Sequence, residues 1–169
     1  MRGKIWQCRV TLAMLLFIAG LVMVGAPGAG AETTPHSADI KKAMEEMKAE
    51  AAKLGAAKME GTQLFFGSTK INGNYDLVDA LKTKYNCTAT FFVKKQDGFV
   101  RISTNVMKDG NRAIGTVLDP NGKAIAAMRN GESFYGVVDI LGKQYDTGYE
   151  PIKNGAGETI GVYYIGYPL

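Results

Sequence analysis

This sequence is short of the residues from which most catalytic and metal sites are assembled. It contains a single histidine, His36, in a polar stretch near the start of the expected folded part, where a chain end is ordinarily mobile. A His-based triad, a metal cluster or a haem ligand set therefore has no candidate inside the domain. Cysteine is nearly as scarce. Cys8 precedes the N-terminal apolar run, which excludes a lipoprotein cleavage signal, and Cys87 is left with no partner for an internal disulfide. Cys87 reads either as a redox or intermolecular thiol or as a small buried hydrophobe, the commoner fate of a free cysteine. Gly131-Glu132-Ser133-Phe134-Tyr135 has tyrosine where a nucleophile elbow needs its second glycine. Gly155-Ala156-Gly157-Glu158-Thr159 lacks the lysine of a phosphate loop and precedes a strand pattern, so it reads as a hairpin turn. These absences argue against an enzyme and imply no cofactor and no metal.

A strong charge bias is also lacking. The 20 basic residues fall to 17, against 16 acidic ones, once Arg2, Lys4 and Arg9 are set aside with the N-terminal segment, a net charge of about +1. Nothing in that balance points to nucleic acid. The apolar run from Val10 to Val24 follows those three basic residues and ends in Ala26-Pro27-Gly28-Ala29-Gly30-Ala31. With small residues at 29 and 31, residues 1–31 read as a signal peptide cleaved before Glu32. The length of the run also suits an uncleaved membrane anchor. The first reading places the protein in the periplasm or outside the cell, and the second tethers it to a membrane. Residues 32–169 are enough for one domain with a core of its own.

What the sequence does contain is periodicity. Ile40, Met44, Met47, Ala51 and Leu54 recur at helical spacing and predict a helix over residues 38–60. Its apolar stripe either joins the core or mediates a homodimer. Leu64-Phe65-Phe66 reads as a short extended segment, and Asp76 to Tyr85 as a second helix capped by Asn74 or Asp76. Alternating runs predict strands over 88–94, 98–107, 112–118, 132–141, 145–152 and 159–167, divided by Gly- and Asn-rich turns. Residues 120–130 predict a short helix with Ala124, Ile125 and Met128 inward. The sum is an α+β domain, an antiparallel sheet with a long N-terminal helix on one face and short helices and loops on the other.

The densest chemistry lies in Phe99-Val100-Arg101-Ile102-Ser103-Thr104-Asn105 and the stretch after Asp109-Gly110. Strict alternation puts Val100, Ile102, Thr104 and Val106 on one face and Phe99, Arg101 and Ser103 on the other. The Asp109-Gly110 turn then predicts direct pairing with a second strand, over 112–118, in which Arg112, Ile114 and Thr116 share a face. Guanidinium groups have forked donors that suit a carboxylate. Tyr135, Tyr145, Tyr149, Tyr163 and Tyr164 add hydroxyls on rigid rings, and Ser103, Thr104, Thr116 and Ser133 add further donors. The alternative is that both arginines pair with Asp139, Glu132 or Glu150.

The hairpin resembles those of the single Cache sensor domains of the Cache 3/Cache 2 fusion type, found outside the membrane in chemotaxis receptors and sensor histidine kinases. Gly131-Glu132-Ser133-Phe134-Tyr135-Gly136, Gly142-Lys143-Gln144-Tyr145, Tyr149-Glu150-Pro151-Ile152 and Gly161-Val162-Tyr163-Tyr164-Ile165-Gly166 continue the likeness. So do Phe66-Gly67, Ile71-Asn72, Leu77-Val78-Asp79 and Thr88-Ala89-Thr90-Phe91-Phe92, and it covers about residues 37–169. The resemblance implies a PAS-like fold and a small-molecule ligand, often a carboxylate, held between sheet and loops. It favours Arg112, with Arg101 and Tyr135 assisting, and the donors Thr116, Ser133 and Tyr145 read from the residues themselves complete the expected ligand set. Because the chain stops at Leu169 after the last strand pattern, the expectation is a stand-alone exported module, a sensory or solute-binding protein serving a membrane receptor. The other reading is a ligand-free structural or interaction module that assembles with a receptor or with itself.

Overall fold

The computed structural model describes residues 34–169, so the leader reading of residues 1–31 lies outside it. Helix α1 (Ser37–Leu54) opens the described part and is followed by a small antiparallel sheet, β1 (Ala57–Glu60), β2 (Gln63–Phe66) and β3 (Thr69–Lys70). Helix α2 (Asp76–Tyr85) leads into β4 (Thr88–Lys95) and β5 (Gly98–Thr104). A two-residue ladder, β6 (Met107–Lys108) and β7 (Asn111–Arg112), precedes α3 (Lys123–Arg129). Strands β8 (Phe134–Ile140), β9 (Lys143–Lys153) and β10 (Thr159–Pro168) complete the chain. The main sheet is antiparallel with order β5-β4-β10-β9-β8; the α+β class and the long helix on one face are as expected, but of the two short helices only α3 lies opposite α1, and α2 packs beside it.

Both faces of this sheet are covered. Along β10, Tyr163, Ile165 and Tyr167 point into a core shared with Ile40, Met44 and Met47 of α1 and Val78 and Leu81 of α2. Val162 and Tyr164, the alternate residues, point into a second core with Ile125 and Met128 of α3. Each fully buried aliphatic or Met side chain contributes about 1.5–3 kcal/mol of transfer free energy, so both layers hold the sheet. The N-terminal stripe is thus core for Ile40, Met44, Met47 and Ala51, while Leu54 at its end is exposed.

Helix α1 ends six residues before the sequence expectation. Gly55 stops it at φ 125, and Gly67 lies so close that a Cβ on Gly55 would approach the Gly67 Cα to 2.7 Å. Residues 57–60 pair with β2 instead. The cap position of α2 falls to Tyr75, not to Asn74 or Asp76 as expected, and Asn74 one residue earlier accepts the Asp76 N–H at 3.0 Å.

The expected long hairpin is also corrected. Asp109 and Gly110 do form its turn, both with positive φ as a type I′ turn requires, but the regular ladder covers only Met107–Lys108 and Asn111–Arg112. Gly115 at φ 80 then breaks the strand predicted for 112–118. The segment still runs antiparallel beside β5, held where Arg101 N–H donates to the Thr116 carbonyl, Gly115 N–H to the Arg101 carbonyl, and Leu118 N–H to the Phe99 carbonyl, each at 2.9 Å. It caps the free edge of β5 as an irregular strap.

Strict alternation fails within β5 itself. Phe91 pairs with Ser103 and Phe92 with Arg101, so Ile102 is the extra residue of a β-bulge. Val100 and Ile102 pack on the α1 side, whereas Phe99 and Val106 pack on the α3 side. Arg101 stays in phase with Phe92 and Phe99 and faces the α3 layer.

Candidate ligand-binding site

The bulge delivers Arg101 into an apolar layer. Its residue is only 5% exposed. The guanidinium lies 5.0 Å from the centre of the Phe92 ring, and Nη1 donates to Thr116 Oγ1 at 2.6 Å. Thr116 in turn donates to the Ala113 carbonyl at 2.8 Å, which aims its lone pairs at the arginine. Among the described residues Arg101 Nε has no hydrogen-bond partner. Burial pulls the guanidinium below its ordinary pKa, and the groups acting against that shift are the phenols of Tyr164, Tyr149 and Tyr145, not a carboxylate. A buried cation held this way is costly unless an anion joins it.

Arg101 opens onto a cavity of about 490 Å³, a size suited to a small organic molecule. Tyr149 lines it beside the arginine, the strap contributes Val117, Leu118 and Asp119, and the start of α3 contributes Lys123 and Ala124. The remaining wall is residues 137–141, the end of β8 and its turn. Burial holds the Tyr149 phenol well above its ordinary pKa, with Arg101 opposing, so the hydroxyl is a neutral donor.

A second cleft, of about 390 Å³, lies between α1 and α2. Its polar lining carries Glu46, Glu50 and Asp76 against one cation, Lys84, and Lys84 is already paired with Glu46. That charge suits no anion.

The other residues singled out from sequence are placed elsewhere. Arg112 makes a bidentate pair with Asp79 of α2, at 2.9 and 2.7 Å. It also donates to the Thr104 carbonyl at 2.7 Å and stacks over the Tyr75 ring. Its pKa is raised by the hydrogen bond to Asp79. Arg112 thus pins β7 to α2. Tyr135 packs on the α1 side of the sheet and donates to Glu150, which also receives Lys48. Ser133 is exposed in the turn before β8. Tyr145 packs on the α3 side, in the same layer as Tyr149. Of the expected set, then, the structure joins Arg101 to Thr116 and places Tyr145 in the same layer, and of the three only Arg101 lines the cavity. Tyr149, one of the tyrosines named from sequence as a hydroxyl donor, lines it, and the β8 wall is added, its signal in the sequence being the alternation of Phe134, Val138 and Ile140.

His36 is held rather than mobile: its N–H donates to Asp146 at 2.8 Å and its ring stacks on Tyr167 at 4.7 Å between centres. Cys87 is buried, and burial pushes its thiol up to about 11.

The family model for the Cache 3/Cache 2 fusion domain matches residues 32–169. The chain belongs to that family. Cache domains are sensor modules, typically extracellular, that bind small molecules. The fold of this Cache domain is similar to that of the E. coli DcuS sensor domain, with 17% identity and a TM-score of 0.42 over 74% of this chain and 90% of that one. It is also similar to the A. aeolicus nlh2 GAF domain in an inactive state, with 13% identity and a TM-score of 0.47 over 77% of this chain and 82% of that one. No curated protein matches it significantly. Among the described residues of the domain no helix is long and apolar enough to cross a membrane.

Proposed function

We propose that this Cache domain is an exported sensory or solute-binding module that takes a small organic anion into the cavity beneath α3, with Arg101 receiving the acid group. The observation that carries this reading is a guanidinium nine-tenths buried, with one nitrogen unpartnered, opening onto a cavity. Thr116 positions the arginine, Tyr149 supplies a neutral hydroxyl, and Tyr145 lies in the same layer. Arg112, already satisfied by Asp79, has a structural role, and Tyr135 and Ser133 take no part. The reading of the chain as an interaction module without ligand leaves the state of Arg101 unexplained. Export rests on the leader-like residues 1–31, and intact mass of the protein recovered from the periplasm or medium tests it: a chain starting at Glu32 supports export. Retention of Met1 in the membrane fraction means that the module is anchored.

A thermal-shift screen against organic acids, amino acids and amines tests the ligand class. An anion held at a hundred times its dissociation constant adds about 2.7 kcal/mol of stability. The shift disappears in Arg101→Met. Equal shifts in wild type and Arg101→Met would place the site elsewhere.

A further inference from the structure

We infer that the anion is a monocarboxylate with an extended apolar body, an assignment that rests on the reading of the cavity given above. The charges around the cavity are unequal. At its inner end the fixed cation is Arg101, buried with Tyr149. At the rim the charged side chains on this face are Asp119 and Lys123, both exposed, one acid and one base, while Asp139 alternates to the other face and accepts from the Gly142 N–H. A second carboxylate on the ligand has two places to go. Against the wall it would be desolvated beside Val138 and Ile140 without a donor, which costs several kcal/mol. At the rim it would meet the Asp119 carboxylate beside one solvated lysine, whose pull on it is weak. One carboxylate is matched by a buried cation, and a second has no such partner at either end.

The rest of the lining defines the body of the ligand. Leu118, Ala124 and Ile140 are buried walls, and the mouth carries Val117 and Leu141, which are 56% and 44% exposed. Aliphatic side chains held in solvent around the entrance of a cavity that ends in a cation describe an amphipathic ligand. Its acid group is drawn inward and its hydrocarbon covers the mouth. The free energy of such binding scales with the hydrocarbon covered, about three- to fourfold in affinity per methylene.

Titration calorimetry on protein purified from the complete sequence tests this with chain-matched pairs: butanoate, hexanoate and octanoate against hexanedioate and octanedioate, with octanamide and 2-aminohexanoate as controls. Octanoate is expected to bind at least tenfold more tightly than octanedioate or octanamide, and affinity rises along the monocarboxylate series. Arg101→Met weakens octanoate at least tenfold, and Val138→Thr, isosteric and distant from the charge, flattens the dependence on chain length. Dicarboxylates binding as tightly as monocarboxylates, still through Arg101, would overturn the monocarboxylate assignment and leave the anion site standing. The assignment is overturned in the same way if affinity is flat along the series or if 2-aminohexanoate surpasses hexanoate. If none of these acids binds, and the screen of other anions is also empty, the anion-binding reading itself falls.

Discussion

Two arginines eleven residues apart have opposite energetics. Arg101 is buried without a carboxylate, so replacing it by Met, which keeps the stem and removes the charge, is expected to raise the urea midpoint by the equivalent of about 1–4 kcal/mol while abolishing anion binding. Arg112 pairs with Asp79 at a partly exposed site. Arg112→Ala is expected to lower stability by about 1 kcal/mol, less at high salt, and to leave binding unchanged. Denaturation and calorimetry on both variants distinguish the two roles; a destabilised Arg101→Met would mean that the charge is compensated within the fold. Cys87 adds a pH dependence. Its folded pKa, about 11, lies above the ordinary 9.0. The unfolded chain thus loses the thiol proton first, and stability present below pH 9 declines as pH rises from 9 to 11. Between pH 8 and 10 this amounts to about 1 kcal/mol, a loss expected to be missing in Cys87→Val. At pH 8 Cys87 in the folded protein should not react with a disulfide reagent until urea unfolds it.

At the level of elements, the alternating runs and turn residues of the sequence disclosed the main-sheet strands and three helices, because those signals are local. Three things were not legible. The bulge at Ile102 is a property of pairing with β4, so alternation read along β5 alone put Val100 and Thr104 on one face when they lie on opposite ones. The stop of α1 depends on Gly67, twelve residues beyond Gly55. The two arginines look equivalent in sequence because what separates them is Asp79, 33 residues from Arg112. Arg101 and Thr116 were legible as donors; their convergence was not.

The bulge and a glycine on β9 each yield a test. Deleting Ile102 removes the extra residue and leaves Arg101 opposite Phe92, so anion binding is expected to survive. Stability falls by about 2–4 kcal/mol for the lost aliphatic burial. A folded deletion variant that no longer binds would show that the bulge itself aims Arg101 at the cavity. Gly148 lies under α1, and a Cβ there would come within 2.7 Å of both Ile40 Cγ2 and Tyr135 Cε1. Gly148→Ala is expected to cost about 1–3 kcal/mol by lifting the helix from the sheet, with the cavity on the opposite face intact. Thermal melts with and without ligand separate the two effects.

For the whole molecule the governing fact is that one sheet serves two cores. Strand β10 has a strand on either side and a packed layer above and below. Strand β8, which forms the cavity wall, is an edge. This arrangement grades the chain by how far it must open before solvent reaches an amide. Deuterium uptake is expected to be slowest in β10, where exchange requires global unfolding, and fastest at the strap and in β8. A bound anion slows uptake at the strap and β8 directly and, in β10, only by its contribution to global stability. The central strand therefore keeps time for the whole fold, while the site opens and closes on a faster clock of its own.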